Sequence, residues 1–537
     1  MMKRTLLSIA LTGLAAMTMM AQEPTATLTF ANSQVGQSTR LGLVASGDFQ
    51  VDWGDGTPVD YSAGAYYTET LKGQTMKLYG DFIQIVANSV NLTDVNLDGC
   101  PNMQQLQMNY NAFTALNLSH MTQLTGLYAE GGSMTSLDVA GCTALRVLDV
   151  SENRIAGTLD CSGMAALTKL DCGDNLLTAV LLPKQQNIYQ VDVRNNLLTS
   201  LDVTGLGNVT ELDCQENRIT SLDLTGMTKL EDLYAYDNAI ETINISGVPT
   251  LKTLSLSDNQ IAAIDLSTCP NLEGVHLTNN QLTTIDLSQN TGVRYLNIGG
   301  NQLAQLNTTM LDQLSRLTCE NNLLTELDLS GNASLYVLYA DHNQFSDIDL
   351  SVAPRVYDLN LAHNQLTDLD LSQHNLYYVQ VNNNQLTSLD LSSSSYLYRL
   401  AAQDNQLTDI TFGSMSYLQG LTLQHNRLQA ERWNEIIDAL PDVSGVSVSE
   451  YNQEYAKIFG YDALPGVDGT PATLKGWQVT GYAPYTGVNS LNSDTQVVRT
   501  AYYSIDGTRL DREPESGLYI VCDILSNGQS HSRKVVK

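Results

Sequence analysis

The chain is short of positive charge. Only 27 Lys and Arg stand against 57 Asp and Glu in 537 residues, a net charge of −30. Nucleic acids and anionic membrane surfaces bind through a basic footprint, so both are excluded as partners. Long apolar runs are missing as well. The longest, Leu6 to Met20, follows Lys3 and Arg4, and a membrane span needs about 18 apolar residues. It reads as an export leader over residues 1–21, cleaved before Gln22; an uncleaved N-terminal membrane anchor is the alternative. The mature chain is then expected to be a soluble extracellular protein without a transmembrane segment.

Catalytic signatures are also lacking. The sequence contains no H-E-x-x-H, no G-x-S-x-G and no phosphate-cradling glycine loop. It has no C-x-x-C pair and no Cys/His set at zinc spacing. Neither an enzyme nor a cofactor or metal protein is expected.

What the sequence has in abundance is one phrase. Leu230 to Asn238 reads LEDLYAYDN, and Leu251 to Asn259 reads LKTLSLSDN. The template is L-x-x-L-x-L-x-x-N-x-L, followed by a second phrase near L-T-x-L-D-L-S. Its slot-nine asparagine recurs at Asn111, Asn153, Asn175, Asn196, Asn217, Asn238, Asn259, Asn280, Asn301, Asn322, Asn343, Asn364, Asn384, Asn405 and Asn426, with Gly132 in the same slot. The step is 21 residues except for one of 22 (Asn153 to Asn175) and one of 20 (Asn364 to Asn384). Fifteen asparagines and one glycine make sixteen copies.

This phrase resembles the leucine-rich repeat, and its short period is similar to that of bacterial internalins. The resemblance implies an α/β-type solenoid: a horseshoe with a parallel sheet on its concave face. Leucines at slots one, four, six and eleven point inward and are buried only by stacking. The asparagine amide is expected to satisfy backbone groups of the neighbouring turn. The return segment is too short for a long helix, so extended or 3₁₀ structure is expected on the convex side.

Cysteine positions argue against disulfides. Cys172, Cys214 and Cys319 take the core-facing slot six, Cys161 a core slot of the second phrase, and Cys100, Cys142 and Cys269 the turn after it. Two strand steps separate Cys172 from Cys214 by roughly 10 Å, beyond the ~7 Å reach of a bridge. They read as small buried apolar residues.

The ends are expected to be capped. Residues 22–85 contain Trp53-Gly54-Asp55-Gly56-Thr57, which resembles the W-G-D-G-T phrase of PKD-like β-domains. This implies a small β cap, with Asp55-Gly56 at a hairpin turn. Exposed aspartates are expected there, with calcium on Asp52 and Asp55 as the alternative. The repeats occupy 86–428. A C-terminal cap over 429–482 has a helix at Ala430 to Leu440 and a strand at Gly476 to Thr480. A polar linker spans 483–494. Over 495–537 the phrases Asp506-Gly507-Thr508-Arg509, Gly517-Leu518-Tyr519-Ile520-Val521 and Lys534-Val535-Val536-Lys537 resemble the C-terminal sorting domain of type IX secretion cargo. That resemblance implies a β-sandwich directing passage across the outer membrane, and hence a secreted or surface-attached protein.

Slots three, five, seven and eight are expected to face solvent on the concave side. In the first half of the array they are acidic, with Asp149, Asp171, Asp174, Asp192, Asp213, Glu216, Asp232 and Asp237 among them, opposed by Lys169 and Arg194. This predicts a negative field suited to a basic partner or divalent cations, or simply a solubilising surface. In the second half they become Tyr295, Tyr339, His342, His363 and Tyr378, while slot two carries Tyr336, Tyr357, Tyr377 and Tyr398. Such aromatics serve protein hot spots and sugar platforms alike, and a stabilising stack is the plainer alternative. His342 and His363 could share a metal, though a recognition surface suits them better. The second phrase repeats an aspartate (Asp202, Asp223, Asp265 and Asp286, for example), read as turn capping or as weak calcium binding along the flank. The function expected is adhesion to an extracellular protein through the concave face. The alternatives are glycan binding on the tyrosines or a passive surface role.

Overall fold

The computed structural model describes residues 23–62, 64–184, 186–446 and 457–482, and the backbone of four strands between 497 and 536. The leader at 1–21 and the linker at 483–494 lie outside the described residues.

The chain opens with eight strands: β1 (Ala26–Phe30), β2 (Ser38–Ala45), β3 (Phe49–Asp52), β4 (Pro58–Tyr61), β5 (Ala65–Thr70), β6 (Thr75–Tyr79), β7 (Phe82–Val86) and β8 (Leu92–Asn96). One antiparallel sheet has the order β4-β3-β6-β1-β8. The other pairs β5 with β2 and β2 with β7. Alternating burial along β1 fills the space between them with Ala26, Leu28 and Phe30. Trp53 is buried, its Nε1 donating to Tyr61 Oη at 2.9 Å. In the turn after β3, Asp55 is exposed as expected, but Asp52 is not. Asp52 is only 3% exposed, and its Oδ1 accepts from the amides of Gly54 (2.9 Å) and Gly56 (3.0 Å). Asp55 pairs with Lys72 at 2.7 Å. Gly54 is required here: its φ is +102°, and an added Cβ would lie 2.4 Å from the Gly73 nitrogen.

β7 is shared between this unit and the repeats. It pairs antiparallel with β2 and parallel with the first repeat strand, Gln105–Gln107. From there each repeat adds one three-residue strand in parallel, through Gly126–Tyr128 to Gly420–Thr422. Slots three and five point to the concave face and slot four into the core (for example Asp232-Leu233-Tyr234). Leucines at slots one, four and six are buried throughout the array, as at Leu251, Leu254 and Leu256. Each contributes about 1.5–3 kcal/mol relative to an exposed side chain.

The return segments carry no helix among the described residues and are extended. Some pair in parallel with the next, as Ser221–Asp223 does with Thr242–Asn244. The asparagine ladder is present. Asn280 Nδ2 donates to Leu256 O in the preceding repeat (2.9 Å) and to Leu277 O (3.2 Å), and its Oδ1 accepts from Ile261 N (2.9 Å). The seven described cysteines are free and buried.

At the far end, α1 (Ala430–Ala439) buries Trp433, Ile436 and Ile437 on one face. The sheet continues through Ile458–Asp462 to Gln478–Tyr482, with α2 (Thr470–Leu474) between them. The 458–462 strand and α2 were not read from the sequence. Near the terminus, Val497–Tyr503, Arg509–Leu510, Leu518–Leu525 and Ser530–Val536 form one four-stranded antiparallel sheet. A second layer for the expected sandwich is not among the described residues.

Candidate functional site: the concave face

The concave face is built by two kinds of position. Slots three and five lie on the strands, and slots seven and eight turn away at the rim. Slot eight has a property the sequence reading missed. It takes a positive φ in all sixteen repeats: Tyr110, Glu152, Asp174, Asn195, Glu216, Asp237, Asp258, Asn279, Asn321, His342, His363, Asn383, Asp404 and His425 lie between +46° and +59°, and Gly131 and Gly300 at +69° and +64°. Asn, Asp, His and Gly tolerate this left-handed region best. The rim carboxylates of Asp174, Glu216 and Asp237 and the imidazoles of His342 and His363 therefore sit where the backbone itself restricts the residue. The absence of Val, Ile and Leu from this slot was the available signal.

Slot five gathers a column. Asp149, Asp171, Asp192 and Asp213 occupy adjacent parallel strands in direct register. Arg194 reaches back to Asp192 Oδ2 (2.5 Å) and Asp174 Oδ2 (3.2 Å). Burial and the charges of Asp192 and Asp149 push Asp171 up to about 7. Burial and Asp213 push Asp192 up to about 6, with Arg194 opposing. Burial pushes Asp213 up to about 6 as well. Asp232 lies beside Glu211 on the next strand, while Glu216 and Asp237 stand exposed at the rim.

In the second half the tyrosines stack as two pairs. Tyr336 and Tyr357 have ring centroids 5.8 Å apart at 7° between planes. Tyr377 and Tyr398 are 5.1 Å apart at 22°, and Tyr378 meets both edge-on. Tyr339 donates from its hydroxyl to Asp358 Oδ2 (2.8 Å), with the Arg316 guanidinium 5.2 Å from its ring centroid. Burial and Asp358 raise its hydroxyl pKa. Tyr295 and Tyr357 are 44% and 42% exposed.

His342 and His363 meet face to face. Their nitrogens turn aside, His342 Nδ1 to Asp341 Oδ2 (2.7 Å) and His363 Nε2 to Asn383 Nδ2 (3.3 Å). Parallel rings do not converge on one ion, which corrects the shared-metal alternative. Among the described residues no three His, Cys, Asp or Glu side chains are grouped to hold a metal. On the flank, the repeated aspartates cap their own turns. Asp223 Oδ1 accepts from Thr225 N (3.0 Å) and Thr225 Oγ1 (2.6 Å), and Asp349 treats Ser351 likewise.

Comparison with known proteins agrees with this geometry. The family described as Leucine Rich repeats (2 copies) matches residues 249–290. The functional domain of InlJ from Listeria monocytogenes superimposes with a TM-score of 0.55 at 21% identity, covering 87% of this chain and 93% of that one. The fold is a leucine-rich-repeat solenoid. A leucine-rich-repeat protein from Leptospira interrogans, LIC12759, gives 0.50 at 21% identity over 64% of this chain and 90% of that one. At these identities the solenoids share a fold, and function is not carried across. No curated protein matches. No described helix is long and apolar enough to cross a membrane.

Proposed function

We propose that this repeat protein is a secreted or surface-attached binding module that holds an extracellular protein on the tyrosine-bearing half of its concave face. The observation that carries this reading is the pairwise stacking of Tyr336 on Tyr357 and of Tyr377 on Tyr398. A sugar platform offers the flat face of an aromatic ring. Here each of these rings spends one face on its neighbour, and Tyr398 also donates its hydroxyl to Gln419 Oε1 (2.9 Å). With Arg316, Asp358 and Tyr339 bonded alongside, the surface has the aromatic and arginine content of a protein hot spot. Export is supported by the leader-like segment at 1–21 and by the sorting-domain phrases at 495–537.

The test is saturable binding of the mature chain to a panel of extracellular-matrix proteins and to a glycan array. The variant replaces Tyr336, Tyr357, Tyr377 and Tyr398 with Ser. Binding to a protein that weakens at least tenfold in the variant supports the reading. Binding to glycan alone, or protein binding unchanged in a folded variant, overturns it.

A further inference from the structure

The column of Asp149, Asp171, Asp192 and Asp213 is independent of the tyrosine surface and has only Lys169 and Arg194 as nearby counter-charges. Stacked parallel strands place like side chains about 5 Å apart, and the register puts these four in line. Four carboxylates at that spacing cannot all ionise without mutual repulsion. We propose that this column is a pH-sensitive element of the solenoid. It holds protons in the folded chain under mildly acidic conditions; releasing them charges the concave face and weakens the N-terminal half of the repeat stack.

The surroundings favour proton retention. On the column's own strands, slot three supplies Lys169 and Glu211. The following strand brings Asp232 and Tyr234, and the preceding one Tyr128. The rim adds Glu152, Asp174, Glu216 and Asp237, with Tyr236. Lys169 and Arg194 are the only cations among these groups, and Arg194 is committed to Asp192 and Asp174. Asp171 Oδ1 instead accepts from the Gly173 amide at 3.3 Å. Below the column, Cys172 and Cys214 are fully buried, so no solvent reaches it from the core side.

The sign follows from linkage. The carboxyls of Asp171, Asp192 and Asp213 lie above their ordinary value of 3.8 in the folded chain. Between that value and their folded values, the folded chain binds more protons than the unfolded one. The column's contribution to stability is therefore greatest on the acid side of this window and falls as pH rises through it, levelling above about pH 7. The flank aspartates, whose pKa values are lowered, act only below this range.

The test uses the full mature chain. Thermal unfolding is followed from pH 5 to 8 for the wild type, for Asp171→Asn, and for Asp171→Asn with Asp213→Asn. These leave the Arg194–Asp192 pair intact. Asparagine already occupies slot five at Asn297 and Asn360, so the repeat accommodates it. The expected result is a wild-type Tm that falls with rising pH, a smaller fall in each variant, and variants that melt above the wild type at pH 8. Infrared difference spectra should show a protonated-carboxyl band at pH 6 that diminishes in the variants. Variants with the wild-type pH slope, or an unchanged carboxyl band, overturn the proposal.

Discussion

The imidazoles of His342 and His363 stack with centroids 4.1 Å apart and planes 16° from parallel, one above the other on consecutive repeats. Both residues have left-handed backbone, at φ +52° and +55°. The stack is thus set by the backbone of slot eight before any ligand is considered. His363→Val should destabilise the chain by about 1–2 kcal/mol, because a β-branched residue resists this conformation. His363→Asn should be nearly neutral, since Asn279 and Asn321 already serve there. Urea unfolding of the two variants decides between a conformational and a purely chemical role.

The same pair makes a prediction about titration. Burial first, and the neighbouring His342 second, lower the pKa of His363. The unfolded chain therefore takes up this proton first on acidification. The stabilising contribution is present above about pH 6.5 and declines as pH falls through that value. By NMR, the His363 ring should titrate below an ordinary histidine and move upward in His342→Asn.

Removing one rung of the asparagine ladder leaves buried carbonyls and an amide without partners. Asn280→Ala should cost about 1–3 kcal/mol, whereas the exposed neighbour Gln281 should tolerate alanine. Asn280 ties the preceding repeat, at Leu256 O and Ile261 N, to its own repeat at Leu277 O, so hydrogen exchange should rise in both. Exchange confined to one repeat would contradict the ladder.

The seven described thiols are buried. Burial pushes Cys100 and Cys161 up to about 12 and Cys142 to about 11. Since the thiolate is the reactive form, they should resist a thiol reagent in the native protein and react on unfolding. Native, rapid labelling of several thiols would count against the packing described.

The solenoid was legible because its cause is local and repeated. Leucine spacing fixes which side chains must be buried, and asparagine at slot nine fixes the turn. The export leader and the linker fall outside the described residues. The concave face was legible only as a list of solvent-facing slots, because its organisation is not local. Register across strands made a column of Asp149, Asp171, Asp192 and Asp213, and stacking divided four tyrosines into pairs. A backbone torsion, marked in the sequence only by the absence of Val, Ile and Leu, accounts for the histidines and many carboxylates of slot eight. At the ends, β8 returns to pair with β1 from more than sixty residues away, and the 458–462 strand extends the sheet beyond the last repeat. Neither pairing leaves a periodic mark.

The sheet's hydrogen bonds join each strand to the next along the length of the array. A pull on its two ends therefore loads successive repeats in series, as links of a chain rather than fibres of a rope. The asparagine clamps reinforce these links, except where Gly132 offers no side chain to bind the preceding turn. Under tension, rupture should begin beside Gly132, and the force borne by the whole molecule is the force borne there.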